Sequence, residues 1–323
     1  MTLDIENGRR WTDMDLAGSA DLADVILIRR NDGTGVKRLT LEALQELIGT
    51  NAEIGELADL KTKDKSSIVA AINENAEDIS VLEVFNDIFA GSGAGFHNAI
   101  YRGKSLGDKL TDEQSAAIQA GTFDDMFIGD YWTIGDVIYR IASFDYFLRS
   151  GDTECTTHHV VVVPDTALYN AVMNTSNVTT GGYTGSQMYT ANLATAKTTI
   201  RNAFGTAHIL VHREYLENAV TNGKPSGGAW FDSDIELMSE AMVYGGKFFE
   251  PTSDGSTVPA IYSVACKQLN LFRFRPDLIS NRVTYWLRNV VSAPAFAFVG
   301  NYGNANFYGA SYSAGVRPAF CLI

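Results

Sequence analysis

Along residues 66–89 the apolar positions fall on one stripe. Ile68, Ile72, Asn75, Ile79, Leu82, Asn86 and Phe89 are separated by alternating steps of four and three, the spacing of a coiled-coil seam. The amides of Asn75 and Asn86 lie inside that seam, where a polar group costs stability but fixes register and strand number. A stripe this narrow suits self-association of helices; the other reading of the same spacing is an amphipathic helix packed on its own domain. GSGAG at 91–95 interrupts the pattern, because consecutive glycines disfavour helix and permit positive φ, so a flexible joint is expected there. The run lacks GxGxxG spacing and has no strand before it, which argues against a phosphate-binding loop.

Before the seam, VILIRR and VKRLT flank the turn signal NDGTG, which predicts a hairpin. A short helix follows in LTLEALQELIG, with Thr40 placed as its cap and Gly49 as its stop. Residues 1–50 thus read as a small module, too short to hold a large core alone, and 51–95 as an oligomerisation segment and hinge. After the joint, short strand and helix patterns mix. A helix opens at Thr111 with a capping box to Gln114. YWTIGDVIYRIASF predicts a hairpin turning at Gly135-Asp136, and HHVVVVPD a buried strand. Helices are expected around 190–204 and 213–221, stopped by Gly205 and Gly223, and again in DIELMSEAMVYGG, opened by Ser233 and Glu236. No repeat of 20–50 residues recurs, which argues against a solenoid or propeller. Residues 96–323 are expected to form one α+β domain.

Composition narrows the function. The 323 residues are 46 % hydrophobic and 20 % charged, ordinary for a globular protein. With 38 acidic against 25 basic side chains, the net charge of -13 opposes attraction to phosphate backbones, so nucleic acid is not an expected partner. No apolar run reaches membrane-spanning length and the start MTLDIENGRR does not read as a secretory signal; no membrane partner is expected. Three cysteines, Cys155, Cys266 and Cys321, show no regular spacing, so no disulfide framework is readable.

Candidate chemistry is sparse. His158 and His159 adjoin a strand and would point to opposite faces. His208 and His212, four apart, lack the glutamate of HExxH and sit in a run that also reads as strand. Asp232, Asp234 and Glu236 have oxygen-ligand character, but no glycine stands at the turn position of a calcium loop. GxSxG is absent. No catalytic residue, metal site or cofactor is therefore expected, although a distant carboxylate pair would leave no local trace.

The end of the chain stands apart. Between Arg288 and Arg317 there is no Asp, Glu, Lys or Arg, while Asn, Tyr, Gly, Ala and Ser abound. Tyr offers large, rigid contacts at low entropic cost, and Ser, Gly and Asn offer adaptable hydrogen bonds, the composition of antibody-type recognition surfaces. Small residues Gly303, Ala305, Ala310, Ser311, Ser313 and Gly315 would let backbone segments pack closely, leaving Asn301, Tyr302, Asn304, Asn306, Phe307, Tyr308 and Tyr312 pointing outward.

YWLRNVVS, the Asn/Tyr-rich segment and the closing GVRPAFCL together resemble the variable proteins of diversity-generating retroelements, those of gut phages and prophages most. The resemblance implies a C-terminal C-type lectin type fold whose last segment, about 286–320 here, is rewritten at adenines by error-prone reverse transcription. Changes at adenines of Asn codons do not reach Lys, Glu, Gln, Met or Trp, and none of these occurs from 289 to 319. The implied ligand-binding positions are Pro294, Ala295, Gly300, Asn301, Tyr302, Asn304, Asn306, Phe307, Tyr308, Gly309, Tyr312, Ala314 and Ala319. Trp286, Leu287, Arg288, Gly315, Val316, Arg317 and Pro318 would be the frame. The calcium-binding tripeptides of animal lectins are missing, so direct contacts are expected.

ADVILIRRNDGTGVKRLTLEAL and LKTKDKSSIVAAINE are similar to phage tail-fibre proteins, usually trimers fixed to the tail by their N-terminal end. Together the resemblances imply a receptor-binding protein of the virion, made in the host cytoplasm without a signal peptide. Residues 1–50 would attach it to other tail proteins, 51–95 would join a homotrimer, and 96–323 would bind a host cell-surface protein or glycan. Two alternatives share the fold: a formylglycine-generating-type oxidase, with Cys266 and Cys321 as its metal-binding pair, and an adhesin displayed by the bacterium itself.

Overall fold

The computed structural model describes residues 25–29, 36–43, 59–89, 93–248, 267–280 and 282–323. The chain divides into two units, 1–90 and 91–323. In the first, β1 (Val25–Arg29) pairs antiparallel with β2 (Val36–Thr40) as the NDGTG turn predicts. The Ala43 amide donates to Thr40 Oγ1 at 3.0 Å, the expected cap. The continuation of that helix and its stop at Gly49 lie outside the described residues. Helix α1 (Ile68–Phe89) follows, and Ile68, Ile72, Asn75, Ile79 and Leu82 of the seam are all exposed on it, as are Val69 and Val81. The side chains of Asn86 and Phe89 lie outside the described residues.

The second unit is a mixed α+β structure. From the expected joint onward, Gly93 has φ of +93°, and Ala94–His97 form a short helix, α2. One sheet has the order β10-β15-β6-β5-β4-β3, from β3 (Ser105–Gly107), β4 (Tyr131–Ile134), β5 (Val137–Phe144), β6 (Val160–Pro164), β10 (Ile235–Leu237) and β15 (Pro318–Leu322). The other has the order β13-β12-β11-β14-β7, from β7 (Tyr169–Ala171), β11 (Tyr285–Ser292), β12 (Ala295–Val299), β13 (Ala305–Gly309) and β14 (Ala314–Val316). β8 (His212–Thr221) and β9 (Lys224–Ser233) make a separate antiparallel hairpin. The last strand of the chain is internal, paired with β6 on one side and β10 on the other.

Local chemistry accounts for these elements. The four valines of β6 are wholly buried, which suits a strand covered on both faces. Helix α3 (Asp112–Ala120) has both arms of the Thr111–Gln114 capping box and ends at Gly121 with φ of +71°. Helix α4 (Ala194–Phe204) buries Ala196, Ile200 and Phe204 at four-residue spacing and stops at Gly205. One core gathers β5, β6 and β15 with Ile118, Phe204 and Phe272. A second gathers Met173, Tyr183, Leu193, Trp286, Phe296 and Phe298.

One expected helix is a strand, and another begins with one. Residues 213–221 belong to β8: Asn222 and Gly223 both have positive φ, 52° and 74°, and turn the chain into β9. That conformation is the hairpin turn which Asn-Gly favours, and it overrides the apparent helical spacing. In DIELMSEAMVYGG, Ile235–Leu237 is β10, and the helix α5 is only Glu240–Tyr244. Its cap is Ser239, whose hydroxyl accepts from the Met242 amide at 3.2 Å, instead of Ser233.

His159 is fully buried; its Nε2 accepts from the Phe147 amide at 3.0 Å and its Nδ1 lies 2.9 Å from the Thr157 carbonyl. Burial pushes its pKa down to about 4 from the ordinary 6.5. The unfolded chain therefore takes up this proton near pH 6.5 and the folded one only near pH 4. Stability is complete above pH 6.5, falls as pH drops through that window, and levels off below it. The loss expected from this group is on the order of 3 kcal/mol. Urea midpoints measured from pH 7 to pH 4.5 should fall, and a His159→Gln variant should fall much less steeply over that range.

Candidate ligand-binding face

The uncharged segment is a hairpin at the edge of the five-stranded sheet. β12, all buried, pairs antiparallel with β13, which lies at the sheet edge and is largely exposed. Phe296 stands opposite Tyr308, Ala297 opposite Phe307, and Phe298 opposite Asn306. Residues directly opposite share a face of the sheet. Tyr308 and Asn306 therefore leave β13 on the side of the second core, and Phe307 on the other side, so the aromatic residues do not form one flat array.

A graded aromatic column runs from that core to water. Trp286, fully buried, donates from Nε1 to the Ala171 carbonyl at 3.0 Å and lies 5.9 Å from the Phe298 ring. Phe298 touches the Tyr308 ring at 6.1 Å; Tyr308 in turn packs against Tyr312 at 4.4 Å. Such ring pairs contribute roughly 0.5–1.5 kcal/mol each beyond area burial. Tyr308 and Tyr312 are nevertheless about half exposed, and Tyr302, at the tip of the β12–β13 turn, is 90 % exposed. The turn itself is fixed: the Gly300 amide donates to the Asn304 carbonyl at 2.8 Å, Gly303 has φ of +83°, and the Ser280 hydroxyl donates to the Asn301 carbonyl at 3.0 Å.

Of the positions assigned to ligand contact, Pro294, Asn301, Tyr302, Asn304, Asn306, Phe307, Tyr308 and Tyr312 are exposed, and Gly309 is half-buried. Ala295, Gly300, Ala314 and Ala319 are buried, which removes them from the face. Ala295 and Ala314 belong to buried strands of the five-stranded sheet, and Ala319 belongs to the internal strand β15, opposite Glu236. A Cβ at Gly300 would collide with the Asn304 side chain. The sequence reading missed the loop Thr175–Val178, exposed and hydrogen-bonded to Ser311 through Asn177. Only its run of small polar residues marked it as a loop.

Below the face lie buried charges, held in two ways. Arg288 lies 2.5 Å from Glu214. Burial opposes ionisation of Glu214, but the Arg288 guanidinium outweighs it and holds the carboxyl below its ordinary value. Arg317 is buried without a carboxylate partner among the described residues. It donates from Nε to the Pro164 carbonyl (2.7 Å) and from Nη1 to those of Leu278 and Ile279 (3.1 and 2.7 Å). The rings of Tyr285 and Phe272 lie 5.0 and 5.5 Å from its guanidinium carbon.

Most of the other candidates resolve into structural pairs; the buried ring nitrogens of His212 have no hydrogen-bond partner among the described residues. His158 is half exposed and lies 2.7 Å from Asp145, with His159 buried behind it. His208 sits in a 3-10 turn and His212 opens β8. Asp234 pairs with Lys197 at 2.8 Å and with Arg201, Asp232 with Arg213 at 2.9 Å, and Glu236 accepts from the Tyr183 hydroxyl at 2.7 Å. Among the described residues no group of three or more His, Cys, Asp or Glu is placed to hold a metal ion. Cys155 and Cys321 are buried free thiols, and burial pushes the Cys321 thiol well up; Cys266 lies outside the described residues. No described helix is long and apolar enough to cross a membrane. The chain matches no protein-family profile, no curated protein and no solved structure.

Replacing Arg317 by Met would remove the arginine donor from the Pro164 and Leu278 carbonyls, at roughly 1–3 kcal/mol each, and leave the Ile279 carbonyl with only the Tyr285 hydroxyl. The expected loss is about 3 kcal/mol or more, a fall in Tm of roughly 6–12 °C for a domain of this size. Thermal denaturation followed by circular dichroism measures it. Arg317→Lys, which lacks the planar fork, should recover only a fraction.

Proposed function

We propose that this protein is a phage receptor-binding protein of the tail-fibre tip, with a C-type lectin type fold over its second unit and a block near 286–320 diversified by a retroelement. The observation that carries the reading is the pairing of an exposed, charge-free aromatic and amide surface, Tyr302, Asn304, Asn306, Phe307, Tyr308 and Tyr312, with a deeply buried frame of Trp286, Phe298 and Arg317. Exposed tyrosines on a stiff base are the anchors that dominate protein recognition, with weak contacts around them excluding water. Oxidase chemistry at Cys321 is a poorer fit, since that thiol is sealed from solvent and burial disfavours its thiolate.

The seam on α1 supports a second element of the reading. Ile72 and Ile79 are exposed on the single chain, which apolar groups avoid when a partner can cover them. Three copies around this seam would leave three faces displayed together, and linked copies raise avidity by roughly 10²- to 10⁴-fold without a new contact.

Binding is tested by adsorption of the purified chain to a panel of intact bacterial strains. Tyr308→Ala with Tyr312→Ala should lower the apparent affinity for an adsorbing strain by about 30-fold or more, the scale of a hot spot, with the fold retained and Tm lowered only by the few degrees that the lost ring pairs account for; full retention of affinity would refute the face as the binding surface. Sedimentation equilibrium should give a trimer that Ile72→Glu with Ile79→Glu converts to monomers; a monomeric unmodified chain would refute the oligomer. For diversification the decisive observation is a near-copy of codons 286–320, differing at adenines, beside a reverse transcriptase gene.

A further inference from the structure

Two turns that border the aromatic face are each held by the same segment, Asn174–Thr179, which lies more than a hundred residues earlier in the chain. At the turn after β13, Asn177 Oδ1 accepts from the Ser311 amide at 2.9 Å and from the Ser311 hydroxyl at 2.8 Å. The Asn174 amide donates to the Ala310 carbonyl at 2.9 Å. At the β11–β12 turn, the Thr179 hydroxyl donates to the carbonyls of Ser292 and Ala293 at 3.1 and 2.9 Å. The segment is itself braced, since the Asn174 side chain donates to the Val178 carbonyl at 2.7 Å and accepts from the Gln187 amide at 2.8 Å.

Gly309 completes the arrangement. Its φ lies outside the left-handed region, so its backbone does not require glycine. A Cβ there would instead stand 2.5 Å from Asn177 Oδ1 and 2.8 Å from its Cγ. The missing side chain makes room for the Asn177 amide. Tyr308 and Tyr312 flank the gripped residues, so the distance between those rings is set by the turn from Gly309 to Ser311, whose partner is Asn177.

We propose that Asn177 is a positioning residue for the recognition face, that Gly309 is its seat and not an exchangeable contact position, and that the exposed loop Thr175–Val178 belongs to that face as a fixed border beside the changing block. The inference rests on the proposed recognition role only for what the face is for; the grip itself is a statement about this chain alone.

The test needs no ligand. Hydrogen–deuterium exchange of the full chain, read by mass spectrometry over peptides covering 306–313, reports the Ser311 amide directly. Asn177→Ala should speed exchange there by about tenfold or more, the loss of roughly one hydrogen bond to a buried or clamped amide. Asn177→Asp, which keeps the accepting oxygen, should restore slow exchange. Gly309→Ala should speed it as Asn177→Ala does, because the collision falls on a flexible side-chain end that can swing away. All three should leave the Tm and the exchange of β5 and β6 unchanged. Unchanged exchange at Ser311 in Asn177→Ala would overturn the proposal, and so would acceleration spread over the whole domain. A chain that adsorbs to no cell would count against the recognition role and leave this result untouched.

Discussion

The guanidinium of Arg317 sits where the chain passes from β14 in one sheet to β15 in the other. A guanidinium at such a crossing brings five N–H donors. Arg317 places three of them on backbone carbonyls, Pro164 at the end of β6 and Leu278 and Ile279 from the segment before β11, while its buried Nη2 has no hydrogen-bond partner among the described residues. Its flat faces meet Tyr285 and Phe272, and the Tyr285 hydroxyl donates to the same Ile279 carbonyl at 2.7 Å. One side chain thereby joins the six-stranded sheet, the first residue of β11 and the start of the last strand. Leucine would remove the donor from the Pro164 and Leu278 carbonyls, and lysine could reach one of them.

This anchoring explains how a surface made largely of exposed residues can stand on a stable domain. The exposed positions of β13 and its turns contribute little to either core, whereas their neighbours in β12, offset by one residue or paired across the ladder, are wholly buried. Side-chain identity at Tyr302, Asn304 or Asn306 is decoupled from folding in the way that surface substitutions usually are. The decoupling has limits that the backbone imposes. A Cβ at Gly300 would meet the Asn304 side chain, and one at Gly309 would meet the Asn177 amide. A recognition surface of this kind would be a set of free positions bounded by more constrained ones.

Much of this was legible in the residues themselves. Gly135-Asp136, the Thr111–Gln114 box and the valine run of β6 each carry a local signal that the tertiary structure does not oppose, and each element stands where its signal placed it. The misread elements are those where a stronger local rule was passed over. Asn222-Gly223 with positive φ at both residues decides for a hairpin, and Ser239, not Ser233, has the free hydroxyl geometry of a cap. The buried alanines of the face, Ala295, Ala314 and Ala319, could not be separated from exposed ones by composition, because small residues are equally at home in both settings. What decides them is strand register, which depends on partners far away in the chain. The Asn177 grip on Ser311 is likewise invisible without coordinates, since it spans 134 positions.

The electrostatics give the proposed role a particular physical character. The chain as a whole carries a charge of -13, yet the face has no formal charge between Arg288 and Arg317. The face itself offers no formal charge to steer a ligand, so its own residues act only at short range. Affinity has to come from short-range terms, the desolvation of tyrosine rings and the hydrogen bonds of asparagine amides, which are insensitive to salt and appear mainly in the off-rate. Such contacts are individually weak when their geometry is not optimised for one partner. A face of this type gains most from being displayed in several copies, because rebinding at a neighbouring site offsets fast dissociation at each. In the proposed role the exposed isoleucine seam of α1 and the neutral tyrosine surface would act together: an assembly would hold by number what no single site holds by strength.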